Sequence, residues 1–413
     1  MQAQQFSAGN VVKDRQPIVV IEWEDEQLEA RGWLVIDMLV NRVAGGGTRM
    51  KIGVTAEEMI KLAQTMTLKF TLTDPHIGGA KCGIDYDPTR PDKLIVMQRF
   101  YQYIKPFLMN CYVTGADLNT NEDEVIACTR SLGLSCPQYA LAKSLGDEAR
   151  RVRRFFEGIH LPIDSQGKML MNTAATGFSI YVATKRALLP ETLHGKKIAI
   201  QGFGNVGGCC AKFLSDDGAC IQAISDRYGT VYCQTGLNIP LLLSCRDERS
   251  KTVFRNLVSL KDRPANYELI NNPEAIYQFG DDVFIPVADS EIITPENFQS
   301  IKAKYLICGA NDPFKPADIE ERMFALGHVV VPDFIANAGT AALYHTLIKG
   351  DGPVTVPALL QNLEKQIAGA TDAALQKSTS EKISPRAAAE LLAEEKIKYY
   401  PESYVTALAK RWR

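Results

Sequence analysis

Apolar side chains recur between Thr55 and Thr73 at Met59, Leu62, Ala63, Met66 and Phe70, which places them on one helical face and predicts an amphipathic helix with Lys69 near its end. Beyond Asp74-Pro75 the segment from His76 to Pro88 is rich in glycine and closes on a second Asp-Pro step, so it reads as a loop that holds Lys81 on a constrained turn. Further along, Lys197–Gln201 is a short apolar run, followed by a glycine turn, a helical stretch from Val206 to Asp216, and a second apolar run at Cys220–Ser225. Similar runs at Asp282–Pro286, Lys304–Cys308 and His328–Pro332 match buried strands, and together they predict an α/β region built on a doubly wound parallel sheet. The stretch from Pro240 to Asn272 is too polar to assign, and the alanine-rich, charged tail from Pro357 to Arg413 reads as helical.

Composition narrows the classes of function. A chain of 413 residues with 46% apolar and 23% charged residues is long enough for two separate cores. Its 46 basic and 48 acidic residues give a net charge of -2, which supplies no drive toward nucleic acid or a membrane surface. No apolar run approaches the roughly 20 residues needed to cross a bilayer, and the N-terminus lacks a basic cluster followed by an apolar core. A cytoplasmic location is the default expectation. Ten cysteines are scattered with no Cys-x-x-Cys pair and no histidine in metal-ligand spacing, so they read as reduced, buried small hydrophobes, and no metal site is expected.

The glycine turn reads Gly202-Phe-Gly204-Asn205-Val206-Gly207 and lies between a strand and a helix. In that setting the first glycine permits the tight turn, the second admits a pyrophosphate, and the third lets helix and strand pack closely. Asp226 stands twenty-four residues after Gly202, near the spacing of an acid that receives a ribose hydroxyl, which favours NAD. The adjacent Arg227 would suit a 2'-phosphate, so NADP stays open. Lys69 and Lys81, twelve residues apart, suit a different chemistry: a fixed cation for a substrate carboxylate, and a lysine whose amine is made accessible as general acid or base. Asp117 follows as the nearby carboxylate. Without the surrounding glycines, two solvated surface lysines would be the simpler reading.

Taken in order, these motifs resemble the glutamate, leucine, phenylalanine and valine dehydrogenase family over nearly the whole chain. Gly45-Gly46-Gly-Thr-Arg49 is similar to its substrate loop, Met66-Thr-Leu-Lys69 to its carboxylate-binding helix, Gly78-Gly79-Ala-Lys81 to its catalytic-lysine segment, and Thr114-Gly115-Ala-Asp117 to its catalytic-aspartate segment. Ala175-Thr176-Gly177, Gly309-Ala-Asn311 and Pro332-Asp-Phe-Ile-Ala-Asn337-Ala-Gly339 resemble the segments around the nicotinamide. The resemblance implies an N-terminal α/β substrate-binding and oligomerisation domain over residues 1–172 and a Rossmann-like dinucleotide-binding domain over 173–345. Residues 346–413 would form a helical tail packing back on the N-terminal domain. It also implies reversible oxidative deamination of an L-amino acid to a 2-oxo acid and ammonium by a homo-oligomer, a hexamer or octamer. Lys69 would bind the α-carboxylate, Lys81 would activate the water that attacks the imine, and Asp117 would exchange protons with the amino group.

Where glutamate-specific members carry a lysine and a serine for the side-chain carboxylate, this chain has Gly45 and Tyr344. Gly115 replaces the alanine of many members, and Ala341 is small; both openings favour a bulky apolar side chain, although Tyr344 could refill the space. A non-acidic substrate, aromatic or branched, is therefore expected, because a buried carboxylate without a cation is strongly disfavoured. Asp85-Tyr-Asp87-Pro88 and the chain length point the other way and keep glutamate as the alternative. A non-catalytic dinucleotide-binding subunit is a further alternative, opposed by the presence of Lys69, Lys81 and Asp117.

Overall fold

The computed structural model describes residues 16–73, 77–164, 169–247 and 250–400. They form two compact units. The first comprises the described residues up to Gly158, with Tyr344–Val354 and the described residues from Glu390 onward; the second comprises Ile159–Leu343 and Thr355–Ala389.

The first unit is built on strands β1 (Val19–Asp25), β2 (Ala30–Ile36), β3 (Ala44–Gly45), β4 (Thr48–Met50), β5 (Gly78–Asp85) and β6 (Tyr112–Val113). Their order is β1-β2-β5-β3-β6, with β4 also paired to β5. β2 runs antiparallel to β5, setting Val35 opposite Lys81, whereas β3 and β4 run parallel to it. Helix α1 (Ala56–Thr73) forms where the periodicity predicts and buries Met59, Leu62, Ala63 and Phe70. Helices α2 (Lys93–Tyr103), α3 (Lys105–Asn110), α4 (Glu122–Ser131), α5 (Tyr139–Ser144) and α6 (Glu148–Ile159) follow. Leu34, Ile36, Ile84, Phe100 and Tyr112 belong to its main core cluster.

The segment around Lys81 is not a loop. It is β5, a buried strand in the middle of the sheet. Its glycines answer a packing demand, because a Cβ at Gly79 would lie 2.2 Å from the Thr67 backbone nitrogen of α1, and one at Gly78 would lie 1.8 Å from the Met38 carbonyl oxygen. Close approach of backbone to backbone, which only glycine permits, explains residues that local punctuation assigns to a turn.

The second unit opens with α7 (Met171–Ala187) and alternates β7 (Lys197–Gln201), α8 (Asn205–Asp216) and β8 (Cys220–Asp226). It continues through β9 (Gly229–Tyr232), α9 (Ile239–Cys245), α10 (Phe254–Ser259), β10 (Glu268–Ile270), β11 (Val283–Pro286), β12 (Tyr305–Ile307), α11 (Asp318–Ala325), β13 (Val329–Val331) and α12 (Asp333–Ala336). The sheet order is β10-β9-β8-β7-β11-β12-β13. β7, β8, β11, β12 and β13 are parallel, with β7 between β8 and β11, so the connections switch direction at the strand that leads into the glycine turn. β9 and β10 are antiparallel additions at one edge. A connection of only two residues, Arg227 and Tyr228, allows nothing else between β8 and β9. The unassigned polar stretch thus contributes α9, α10 and β10.

Helix α13 (Gly339–Lys349) is followed by α14 (Val356–Glu381) and α15 (Pro385–Lys398). The tail does not return to the first unit as one piece: α14 packs on α7 within the second unit, whereas the tail residues up to Val354 and the described residues from Glu390 onward group with the first. Among the described residues no helix is long and apolar enough to cross a membrane.

Candidate active site

In the first unit, strand and loop geometry gathers three charged groups. Lys81 projects from β5 with its Nζ 2.9 Å from Asp117 Oδ2, and the Nε of Arg49, from β4, donates to the same oxygen at 2.8 Å. Arg49 also pairs with Glu58 of α1 at 2.7 Å. The loop bearing Asp117 is fixed by Thr120, whose hydroxyl donates to the Thr48 carbonyl at 2.7 Å and accepts the Asp117 backbone N–H at 3.0 Å. Side-chain exposure is 4% for Lys81 and 15% for Asp117, so both charges are largely withdrawn from water.

Burial pushes the Lys81 amine below its ordinary range, with Asp117 opposing the shift and Arg49 reinforcing it. At Asp117 burial acts upward, but the paired Lys81 and Arg49 outweigh it and hold the carboxyl well below the usual range. A buried amine that gives up its proton more readily than ordinary lysine, beside a fixed carboxylate, is equipped to exchange protons with a substrate. Lys69 lies in the last part of α1, which packs on β5, and is buried. In the sequence Arg49 stands out only within the glycine-rich segment, and its contact with Asp117 carries no sequence signal because the two lie 68 positions apart.

A second cluster lies two residues from Asp117. A Cβ on Gly115 would sit 3.3 Å from Cε2 of Tyr344 and 4.0 Å from Oε2 of Glu122, so the Tyr344 ring occupies the space that the glycine opens. The Tyr344 hydroxyl donates to Glu122 Oε2 at 2.6 Å, and its ring packs edge-on against Phe155 with centroids 5.0 Å apart. Glu122 is the first residue of α4, held there by a capping box in which Asn121 and Glu124 satisfy each other's backbone N–H groups. Its Oε1 is buried without a hydrogen-bond partner. Burial pushes the Glu122 carboxyl up, against opposing hydrogen bonds from Tyr344 and the Ala116 backbone. Sequence reading missed Glu122 because, next to Asp123 and Glu124, it looks like ordinary acidic charge in a helical first turn.

Gly45, where glutamate-specific members carry lysine, is closely packed. A Cβ there would lie 2.8 Å from Ile77 and 3.0 Å from Val113, an apolar wall with no room for a lysine. Gly46 is equally a packing glycine, because its Cβ would meet the Ala80 carbonyl oxygen at 1.7 Å. Cys82, beside Lys81, is buried, and its thiol is pushed up to about 12 by desolvation, consistent with simple packing.

The second unit carries a cradle at the end of β7. Gly202 holds φ at 105°, and a Cβ there would lie 2.9 Å from the Ala288 backbone. Gly204 faces open space, and a Cβ on Gly207 would lie 1.9 Å from the Gly202 carbonyl oxygen. Asn205 and Val206 begin α8, so the helix N-terminus, with its unsatisfied N–H groups, follows directly on the open glycine. These features fit a dinucleotide pyrophosphate. Arg246 adds a cation, its guanidinium donating to the Gly204 carbonyl at 2.8 Å.

Asp226 behaves differently from the acid expected to be open to a ribose hydroxyl. Its Oδ1 accepts the Tyr228 backbone N–H at 2.9 Å, and its Oδ2 accepts those of Val253 and Phe254 at 2.7 and 2.8 Å. Arg227, the next residue, is exposed. Thr176 of α7 shares a hydrogen bond with Thr340 at 2.8 Å, and Asn337 donates to Asn311 at 2.8 Å and to the Gly309 carbonyl at 3.2 Å. Ala341, in α13, is partly buried. No group of histidines, cysteines and carboxylates with metal-binding geometry occurs among the described residues.

Comparison with known proteins gives a consistent result. Residues 167–402 match the profile of the Glutamate/Leucine/Phenylalanine/Valine dehydrogenase family, and residues 15–131 match its dimerisation domain. A glutamate dehydrogenase from Aeropyrum pernix is 31% identical over 306 residues, 73% of this chain and 67% of that protein. An NAD-specific glutamate dehydrogenase from Staphylococcus aureus is 28% identical over 84% of this chain and 80% of its own length. Among solved structures, L-tryptophan dehydrogenase from Nostoc punctiforme superposes with a TM-score of 0.61 at 18% identity, covering 94% of this chain and 97% of that one, a likeness of fold.

Proposed function

This chain belongs to the glutamate/leucine/phenylalanine/valine dehydrogenase family and is an NAD(P)-dependent amino acid dehydrogenase, and we propose that its substrate is an L-amino acid with a non-acidic side chain, deaminated reversibly to a 2-oxo acid and ammonium. The observation that carries the chemical part of this reading is the buried contact of Lys81 with Asp117, braced by Arg49.

The bound nicotinamide supplies the acceptor for the α-hydride. Lys69 holds the α-carboxylate as a fixed cation. Asp117 accepts a hydrogen bond, and in turn a proton, from the α-amino group. Once the substrate is an iminium, Lys81 in its amine form takes a proton from water as the oxygen adds to carbon. Collapse of the resulting carbinolamine, with its nitrogen protonated, releases ammonium and leaves the 2-oxo acid. Desolvation of Lys81 serves this step because it favours the neutral amine.

The side-chain preference rests on Glu122 and Tyr344. A second carboxylate brought near a buried, hydrogen-bonded Glu122 would meet like charge in a medium of low dielectric, with no cation at Gly45 to compensate. The dimerisation-domain match supports self-association, which we take to be a hexamer or octamer. Glutamate itself is the second reading, favoured by the names of the sequence relatives. Steady-state assays in both directions with tryptophan, phenylalanine, leucine, valine, glutamate and their 2-oxo acids decide the matter. A kcat/KM for glutamate above that of every non-acidic substrate would overturn the preference.

A further inference from the structure

Beyond the carboxyl end of the parallel sheet, two loops are tied to each other. The loop after β12 carries Asn311, and the segment after β13 leads through α12 to Asn337, which donates to Asn311 Oδ1 at 2.8 Å. β12 and β13 run parallel to β7, so this pair lies on the same edge of the sheet as the glycine turn, on the side away from β8. Ligands of such sheets lie outside the carboxyl ends of the strands. A dinucleotide on the cradle with its adenosine toward β8 therefore extends its nicotinamide half toward these loops.

The Asn311 loop is held by a bracket outside the turn itself. Asp312 has φ at 46°, in the left-handed region that costs a residue with a side chain and persists only where its surroundings enforce it. Its N–H donates at 2.9 Å to Oδ2 of Asp333, the first residue of α12. The other oxygen, Asp333 Oδ1, accepts from Arg386 Nη2 at 2.7 Å, and Arg386 Nε donates to Glu320 of α11. The same guanidinium lies over the ring of Phe334, 5.1 Å from its centroid. Arg386 is the second residue of α15, so the tail supplies the cation, within the second unit. The Asp333 and Glu320 side chains are 2% and 3% exposed. Glu320 Oε1 is buried without a hydrogen-bond partner, and burial pushes this carboxyl up to about 7 against the pull of Arg386. Buried ion pairs add little net stability over apolar packing, whereas forked hydrogen bonds from a guanidinium fix direction.

We propose that Arg386 is a positioning residue: through Asp333 it fixes the Asp312 turn, and with it the Asn311–Asn337 pair, in the arrangement that orients the nicotinamide ring for hydride transfer. The inference rests on the dehydrogenase reading above in taking that pair to meet the nicotinamide half. Arg386 acts through these residues and not by touching cofactor or substrate.

The test compares full-length wild type with Arg386→Ala. Each is titrated with NADH and NADPH, followed by emission of the bound nicotinamide ring, and with ADP-ribose, which lacks that ring. In the variant kcat should fall by about tenfold to a hundredfold, as for loss of a hydrogen bond to a charged group. Ring emission should move toward that of the free cofactor, while ADP-ribose affinity stays at the wild-type value. Asn311→Ala should show the same pattern, and adding Arg386→Ala to it should cost little more, because the two act in one line. Arg386→Lys, which keeps the charge but cannot fork between two carboxylates, should retain part of kcat, and it carries the test where the alanine variant fails to fold. Unchanged kcat and ring emission in a folded variant, additive losses in the double variant, or dinucleotide and ADP-ribose affinities falling together overturn the positioning role and leave the dehydrogenase reading standing. Wild-type protein that binds none of the three probes overturns both.

Discussion

The hydroxyl of Tyr344 donates to Glu122 Oε2 across 2.6 Å, joining residues 222 positions apart beside a glycine that leaves room for the ring. Because Oε1 of the same carboxyl has no partner and burial raises its pKa, the pair carries a cost when ionised. A carboxyl whose folded pKa lies above its ordinary 4.5 favours the fold most below that value and loses the contribution as pH rises through the folded pKa. Glu122→Gln should therefore raise the melting temperature at pH 8 more than at pH 4.5, whereas Tyr344→Phe, which strips the hydroxyl that donates to it, should lower it. Differential scanning calorimetry at the two pH values checks both; a Glu122→Gln effect independent of pH would contradict the buried-carboxyl account.

Lys81→Ala should lower kcat by a factor on the order of 10³. Dinucleotide affinity, measured by quenching of protein fluorescence, should stay close to wild type. Because the amine is the working form and burial lowers its pKa from 10.5, the deamination rate should rise with pH along a limb lying below the ordinary lysine range. Wild-type turnover in the alanine variant would remove Lys81 from the chemistry.

Asp117→Asn leaves Lys81 beside Arg49 without its counter-ion. Breaking one side of a buried pair costs about 3–5 kcal/mol, readable as a shift of the urea midpoint at neutral pH. The wild-type carboxyl has a folded pKa below its ordinary 3.8, so its contribution is complete above that value and fades as pH falls beneath it. The variant should lack this acid-side loss, and identical acid unfolding profiles would deny the pair its weight.

Gly45 and Gly115 should respond differently to the same methyl group. At Gly45 a Cβ meets Ile77 at 2.8 Å and Val113 at 3.0 Å, so Gly45→Ala should destabilise by about 1–3 kcal/mol. At Gly115 the nearest atom is 3.3 Å away on the Tyr344 ring, and Gly115→Ala should cost less stability while altering KM for bulky substrates. A lysine at position 45 is accordingly expected to unsettle the sheet rather than to create a glutamate site. Thermal unfolding together with KM values for phenylalanine and valine separates the two glycines.

Periodicity was enough to place α1, β7, α8, β8 and the three later parallel strands, because each is set by local burial on one or both faces. Lys81 reads as a loop residue because glycine and Asp-Pro steps are local punctuation, whereas the need for those glycines arises from α1 lying against β5. Lys69, Lys81, Asp117 and the glycine fingerprint stand out as residue types in an informative order. Arg49 and Glu122 do not, since their partners come from distant segments. Asp226 shows the opposite limit: its spacing is that of a ribose acid, but its hydrogen bonds depend on Val253 and Phe254 in a stretch whose polar composition conceals two short helices.

The end of β8 and the turn after it divide their labour between neighbours: the last strand residue, Asp226, is tied inward by main-chain donors, and the next, Arg227, is exposed at the rim. Exchanging the outer side chain leaves the knot beneath it untouched. Charge at that rim can therefore change while the pairing of β8 with β9 stays as it is.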